Sequence, residues 1–344
     1  MKRTLSMATL VCLAVACGNK SSDTQSSTGE NQPGDNGNNG SGGDGGSGPS
    51  GDLNKNPIEG IAPAEVILEA GEFTDGPVWH AGAGVLFFST PLGEGGLYRM
   101  RPDGSTLKVR TGELATGKIP IGNAVDKAGN LINVEAKVLL RGDASPDAGA
   151  PAAVATGYPG EGGTAPFDTL NDAVVRADGT MYVTDPGYFG QPVANRLYRV
   201  TPQGQVQVVE SFEDVPRPNG VALSPDQKML YVGFSAPTKG TLPFIRRYYV
   251  NDDGTLGESS RFIDIAPDDS APDGIEVDQA GNVYVAQKDG VAVYKADGSK
   301  IGVIAIPEQP TGSAFGDKDM QTLFITTQGV HIFKVHVNVP GVAQ

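Results

Sequence analysis

The chain has 344 residues, with 48 Gly and 25 Pro, 19% charged residues and a net charge of −14. So turn-rich a composition argues against a helical protein. The acidic balance excludes nucleic acid as a partner, because phosphate binding needs clustered Lys and Arg. The length suits one large all-β domain or two smaller ones.

The first residues read as a targeting segment, residues 1–16. MKR supplies a positive start and TLSMATLVCLAVA an apolar run too short to span a bilayer comfortably. It ends in Ala14-Val15-Ala16-Cys17, similar to a bacterial lipobox cleaved just before the Cys, so Cys17 is the expected lipidation site. A soluble secretory signal is the alternative. Residues 17–58 follow as a Gly/Ser/Asn-rich tether with almost no apolar residue, which cannot bury a core and is expected to be disordered. The two cysteines, Cys12 and Cys17, both lie in the leader. The mature chain therefore has neither disulfide nor thiol nucleophile, and its core alone must hold the fold.

The body, residues 59–344, repeats itself. Six segments share a polar opening residue, a β run, a polar turn and a second β run. They are DGPVWHAGAGVLFFST from Asp75, NAVDKAGNLINVE from Asn123, NDAVVRADGTMYVTD from Asn171, NGVALSPDQKMLYVGF from Asn219, DGIEVDQAGNVYVAQ from Asp273 and GSAFGDKDMQTLFITT from Gly312. Each reads as a hairpin, and most are followed by a second strand pair, such as RLYRVTPQGQVQVV. Four strands recurring roughly every 40 to 50 residues are the mark of a β-propeller, here an all-β, six-bladed one. The last blade lacks a strand downstream. The early run AEVILEA, residues 64–70, is expected to complete it and close the ring. A sandwich would not show this period. The Gly/Ala/Pro-rich stretch 143–169 reads as a surface loop containing one outer strand, or as a lid over the channel.

In a propeller, the first residues of the innermost strands surround the central axis. Asp75, Asn123, Asn171, Asn219, Asp273 and Gly312 would form that ring, with five oxygen-bearing side chains and no sulfur or imidazole. Oxygen-only ligands suit a hard cation, with Ca²⁺ preferred over Zn²⁺. The alternative is that Asn, Asp and Gly merely start strands after turns. Two ionised carboxylates at the axis without a cation would repel, and one would have to shift its pKa.

FTDGPVW at 73–79, LNDAVVRADGTMYVTDPGYFG at 170–190, PNGVALSPDQKMLYV at 218–232, PDGIEVDQAGNVYVA at 272–286 and TGSAFGDKDMQTLFITT at 311–327 together resemble the senescence marker protein, gluconolactonase and luciferin-regenerating enzyme family. The resemblance covers most of residues 64–335 and is nearest the bacterial gluconolactonase branch. It implies a six-bladed propeller holding one divalent cation in its channel, Ca²⁺ first, with Zn²⁺, Mn²⁺ or Mg²⁺ as alternatives. It implies Asn219 and Asp273 as metal ligands, Asp75 in the place of a family Glu, and Asn171 on metal or substrate. Asp is one methylene shorter than Glu, so its carboxylate reaches about an ångström less far unless the backbone moves in, and Ca²⁺–oxygen distances leave little slack. NVEAKVLLR in the second repeat lacks the Glu-His pair common in the gluconolactonase branch, which leaves the sugar open.

The implied activity is metal-assisted hydrolysis of a lactone, with Asp273 as general base and Asn171, Asn123 and Tyr188 toward the substrate. Tyr188 and Phe189 would line the channel mouth, or Tyr188 would pack between blades; Asp185 would make a turn or touch ligand. The three histidines, His80, His331 and His336, have no G-x-S-x-G serine elbow to serve, and Trp79 reads as core. Two alternatives remain: a propeller that binds a ligand or protein without turning it over, and a phosphotriesterase-like hydrolase. The expected setting is a monomer exported and lipid-anchored to a bacterial envelope, outer membrane first, with secretion as the alternative.

Overall fold

Hydrophobic runs that are buried on both sides alternate along this chain with runs that face water on one side, and the two kinds take different radial positions. The computed structural model describes residues 52–92, 95–113, 116–145, 149–188, 194–213, 217–235, 242–266 and 272–343. Residues 1–16, Cys17, most of the 17–58 tether and Phe189 lie outside the described residues.

Strand β1 (Glu65–Glu69) comes first, and then the strands come in fours. Blade 1 is β2 (Asp75–His80), β3 (Val85–Thr90), β4 (Gly96–Met100) and β5 (Thr106–Thr111), hydrogen-bonded in that order. Blade 2 is β6 (Pro120–Val125), β7 (Asn130–Glu135), β8 (Val138–Asp143) and β9 (Ala152–Ala155). A separate hairpin follows, β10 (Gly157–Gly160) with β11 (Gly163–Pro166). Blade 3 is β12 (Ala173–Val175), β13 (Met181–Asp185), β14 (Ala194–Val200) and β15 (Val206–Glu213). Blade 4 is β16 (Arg217–Leu223), β17 (Met229–Ser235), β18 (Phe244–Val250) and β19 (Leu256–Asp264). Blade 5 is β20 (Ile275–Val277), β21 (Val283–Gln287), β22 (Gly290–Tyr294) and β23 (Lys300–Ala305). Blade 6 takes β24 (Pro310–Gly316), β25 (Thr322–Thr327) and β26 (His331–His336), and its fourth strand is β1. Glu65 pairs with Lys334 and Glu69 with His331, so the chain start closes the ring as the run at 64–70 foretold. This removes the open edges that a broken ring would expose.

Radial position follows from sequence. β3, β6, β13, β21, β24 and β25 are buried at every residue because neighbouring blades cover both faces. Outer strands such as β5 (TLKVRT) are mostly exposed or partly exposed, and carry polar residues accordingly. The core is a series of clusters lying between adjacent blades. Tyr182 and Leu197 of blade 3 pack with Leu230 and Phe234 of blade 4, while Ala222 and Tyr231 of blade 4 pack with Val283 and Val285 of blade 5. Trp79 of blade 1 stacks on Phe324 of blade 6, ring centroids 5.6 Å apart, so it is core as expected. Fully burying each such side chain contributes about 1.5–3 kcal/mol.

The 143–169 stretch gives up more structure than the sequence promised. It supplies β9 as the outer strand of blade 2, and then the β10–β11 hairpin. Tyr158 of that hairpin lies 5.4 Å from Tyr198 and under the Arg196 guanidinium, on the flank of blade 3. No described residue of 143–169 lines the channel, so the hairpin is a buttress between blades and not a lid. The C-terminal residues cross the opposite end of the channel from the inner-strand starts. Gln279 N–H donates to Pro340 O, Gly341 N–H donates to Met320 O, and Val342 reaches the cavity wall.

Candidate functional site

The inner strands do not start cleanly. β2, β6, β16 and β24 each carry a bulge in their first residues, between Asp75 and Val78, Pro120 and Gly122, Pro218 and Val221, and Pro310 and Gly312. A bulge re-aims side chains at a strand end, and here it turns the opening residues toward the axis.

Close backbone approach fixes which residues are equivalent. A Cβ on Gly76 would strike Ile121 O and Gly122 Cα, and one on Gly122 would strike Asn171 O and Asp172 Cα. One on Gly220 would strike Asp273 O and Gly274 Cα, and one on Gly274 would meet Gly312 Cα at 2.7 Å. Successive inner strands thus touch through one column: Gly76, Gly122, Asp172, Gly220, Gly274, Gly312. The residues just before that column are the true ring: Asp75, Ile121, Asn171, Asn219, Asp273 and Thr311. This corrects the expected ring at two blades. Asn123 and Gly312 stand two and one residues beyond the ring positions of their blades, which Ile121 and Thr311 hold. Both still line the channel. In the ring pairs Asp75-Gly76, Asn219-Gly220 and Asp273-Gly274 a neighbouring backbone lies against the Gly, and Gly76 also takes a φ of +53°. Gly220→Ala is therefore expected to push the Asp273 backbone away, lowering the thermal midpoint and weakening binding in the channel. Both are read by melting curves and ligand titration.

Four ring positions carry a carboxylate or amide oxygen, and all four, Asp75, Asn171, Asn219 and Asp273, line one cavity of about 100 Å³ with Asp172 and Glu276, while the Thr311 hydroxyl is bonded to Thr74 O and Thr326 Oγ1. Asp75 Oδ1 accepts from Gly76 N–H at 2.8 Å. Asn171 and Asp273 are held by their backbones, their N–H groups donating to Thr184 O and Ala286 O. The Asn219 Nδ2 lies 3.4 Å from the Tyr188 hydroxyl, while its Oδ1 is buried with no hydrogen-bond partner. Leaving such an acceptor unsatisfied is unfavourable, and a lone carbonyl oxygen beside two carboxylates is the arrangement a hard cation relieves.

The electrostatics agree. Burial pushes Asp75 up to about 7, with the Asp172 charge adding to it. Burial also pushes Asp172 to about 7. Asp273 is driven well above the ordinary carboxylate range by burial first, then by Asp75 and Asp172. Glu276 rises to about 8 through burial and then Asp172. Four acids in one desolvated channel cannot all ionise without a compensating positive charge. Burial, then Asp273, also raises Tyr188, so its phenol stays protonated and able to donate.

The donor chemistry thus fits the implied cation, although among the described residues no three His, Cys, Asp or Glu side chains come together as a metal group. The set is two carboxylates and two amides.

Asn123 is otherwise engaged. Its Nδ2 donates to Gly76 O at 2.7 Å and Ser89 Oγ at 3.0 Å, and its Oδ1 accepts from Asn133 Nδ2 at 2.8 Å. Asn133 is in turn bonded by Arg110, which also pairs with Glu135 at 2.8 Å. Asp185 accepts from the backbones of Asp168, Thr169 and Gly187 and from Tyr198 Oη, so its role is the turn. The histidines lie elsewhere: His80 bonds Gly129 O, His331 pairs with Glu308, and His336 ends β26. Sequence reasoning missed Asp172 and Glu276. Asp172 occupies the glycine column, bridging blades through Val221 N–H to its Oδ2 at 3.0 Å. A carboxylate where the other repeats show Gly was the available signal. Glu276 interrupts an otherwise apolar strand, GIEV, in the same way.

The family model described as the SMP-30/Gluconolactonase/LRE-like region matches residues 73–329, well over half of the chain. A gluconolactonase of Zymomonas mobilis is 27% identical over 313 residues, covering 77% of this chain and 78% of that protein. A pentonolactonase of Haloferax volcanii is 30% identical over 165 residues, 46% of this chain and 53% of its relative, so that alignment spans about half of each. A solved gluconolactonase from Xanthomonas campestris superposes with a TM-score of 0.67 at 27% identity, covering 82% of this chain and 91% of that one.

Proposed function

Because the chain belongs to the SMP-30/gluconolactonase/LRE-like family, we propose that it is a hydrolase that opens a lactone, a sugar lactone first, in its central channel with the help of one divalent cation. Asp75, Asn171, Asn219 and Asp273 would hold the cation, with Ca²⁺ the best match to an all-oxygen donor set. The observation that carries this reading is the buried, unpartnered Oδ1 of Asn219 between carboxylates that cannot otherwise coexist as charges.

When bound, the cation supplies Lewis-acid polarisation of a carbonyl oxygen and acidifies a water. The chain's own residues do the rest. Asn171 and Asn219 orient the lactone carbonyl toward the ring. The neutral Tyr188 phenol donates to an oxygen of the substrate at the channel mouth. Asp273 takes the proton of the attacking water as its oxygen bonds to the carbonyl carbon. The ring C–O bond then breaks, and the same proton passes to the departing oxygen, leaving a hydroxy acid.

The test is turnover of a panel of aldono-lactones beside a phosphotriester, each with Ca²⁺ present. Lactone opening well above the phosphotriester rate is the expected result. Turnover of the phosphotriester alone would replace the reading, and binding without turnover would reduce the protein to a ligand-binding propeller.

We also propose that the protein is exported and anchored through Cys17, on the strength of Ala14-Val15-Ala16-Cys17 and the polar stretch after it. Cys17→Ser is expected to move the protein from the membrane to the soluble fraction and to abolish labelling by a fatty-acid probe. Unchanged membrane association in that variant would contradict the anchor.

A further inference from the structure

Arg217 opens β16, two residues before Asn219. Its guanidinium lies over the Tyr188 ring, Cζ 5.5 Å from the centroid, and the Tyr188 hydroxyl reaches toward Asn219 Nδ2 at 3.4 Å. Tyr188 therefore spans two environments: its hydroxyl end meets the ring of oxygens, and its face carries a cation at the channel rim. Other arginines at this end of the propeller are neutralised. Arg110 Nη2 lies 2.8 Å from Glu135, and Arg246 Nη1 lies 2.8 Å from Glu210. Arg217 has no carboxylate partner among the described residues, and its Nε is buried without a hydrogen bond. A partly buried guanidinium set over an aromatic ring, with a donor unspent, is suited to receive a planar or tetrahedral anion.

Below it the walls carry Asp75, Asp172, Asp273 and Glu276, whose charge the implied cation would offset, and no Lys or Arg to hold an anion. A substrate with a negative group at one end would be sorted by these two fields. Its anionic end would stay at the rim, and its neutral carbonyl end would go down to Asn171 and Asn219. A neutral sugar lactone gives Arg217 nothing ionic to hold.

We propose that Arg217 is a specificity-determining residue that binds an anionic substituent (carboxylate, phosphate ester or sulfonate) on the end of the lactone distal from the reacting carbonyl, with the Tyr188 ring beside the guanidinium. This rests on the lactone-hydrolase reading for its substrate class, but its test does not need turnover. Gluconate, 6-phosphogluconate and glucarate are titrated calorimetrically into the full-length protein in Ca²⁺ at constant ionic strength. The wild type should bind at least one of the two acids with a distal anion about 10- to 100-fold more tightly than gluconate, the usual range for a charge-assisted hydrogen bond. The other titration shows whether a distal carboxylate serves as well as a phosphate. Arg217→Gln should bring that ratio close to one. Arg217→Lys should keep part of it, since Lys retains the charge but not the planar fork. A wild-type ratio near one for both distal anions overturns the proposal, whether or not either variant folds. So does a ratio that survives Arg217→Gln. Failure of the lactone panel under the same conditions would instead remove the hydrolase reading, while the measured ratio would still stand by itself.

Discussion

Asp273→Asn is expected to lower lactone turnover by about 10³-fold or more, the scale of a lost general base that is also a ligand. The same change should raise the thermal midpoint of the chelated protein at neutral pH. Asp273 is half-buried among acids, and its ionised form is opposed by burial and by Asp75 and Asp172. Removing its charge relieves that repulsion without altering its shape. The opposite signs matter, because a variant that loses activity by unfolding would lose both. A site kept at a cost in stability is what function demands of a channel that must hold a cation. Asp273→Ala should lose turnover as fully, with a smaller gain in stability because it also leaves a void. A fall in both turnover and midpoint for Asp273→Asn would mean that the carboxylate is structural.

The second large effect is on pH dependence. In the metal-free folded chain, burial raises Asp75 and Asp172 to about 7 and Glu276 to about 8, from ordinary values of 3.8, 3.8 and 4.5. Between those limits the folded state binds more protons than the unfolded state, so unfolding free energy falls as pH rises. The stability is fully present below about pH 4 and is lost as pH climbs through about 7 to 8. Each pKa unit corresponds to about 1.4 kcal/mol, so these groups together command several kcal/mol. The chelated protein should melt at progressively lower temperature from pH 5 to pH 8. Saturating Ca²⁺ should remove most of that decline, and the gap between the two curves should widen with pH, because the ligands must be deprotonated to bind. Asp172→Asn and Glu276→Gln should each flatten the curve of the chelated protein. Melting curves across this range, with and without chelator, check both expectations, and a midpoint that is flat or rising without metal would contradict them.

Much of the architecture could be read from residues. The repeated strand–turn–strand segments marked six blades because burial on both faces demands continuous apolar runs such as VLFFST, while outer strands such as TLKVRT need only half as much. The run at 64–70 was legible as the missing strand because blade 6 had no other source for it. The four carboxylate- and amide-bearing ring residues were legible from Asp-Gly and Asn-Gly openings in three repeats and from Asn171-Asp172 in the fourth. The register of the other two blades was not. Matching on Asn placed Asn123 in the ring, whereas it stands at the position of Pro77, Ala173, Val221, Ile275 and Ser313. What aligns the blades physically is the glycine column, where neighbouring backbones touch, and Gly122 held that signal. Glu276 and Asp172 were hidden for a related reason: polar residues in short inner strands look like solvent-facing alternation until the axis is known to lie beside them. The hairpin at 157–166 escaped notice because Gly and Pro obscure its pairing, which Tyr158 anchors through packing rather than pattern.

The most direct measurement is turnover of glucono-δ-lactone by one protein sample, assayed as purified, after exhaustive chelation, and after Ca²⁺ is restored, with metal binding followed by calorimetry on the same chelated sample. The expected result is loss of turnover on chelation, recovery on adding back the ion, and binding close to one equivalent that Asp273→Asn and Asn219→Ala both weaken. Lactone turnover undiminished by chelation, or a bound ion indifferent to both substitutions, would contradict a cation held by Asp75, Asn171, Asn219 and Asp273 at the head of the channel.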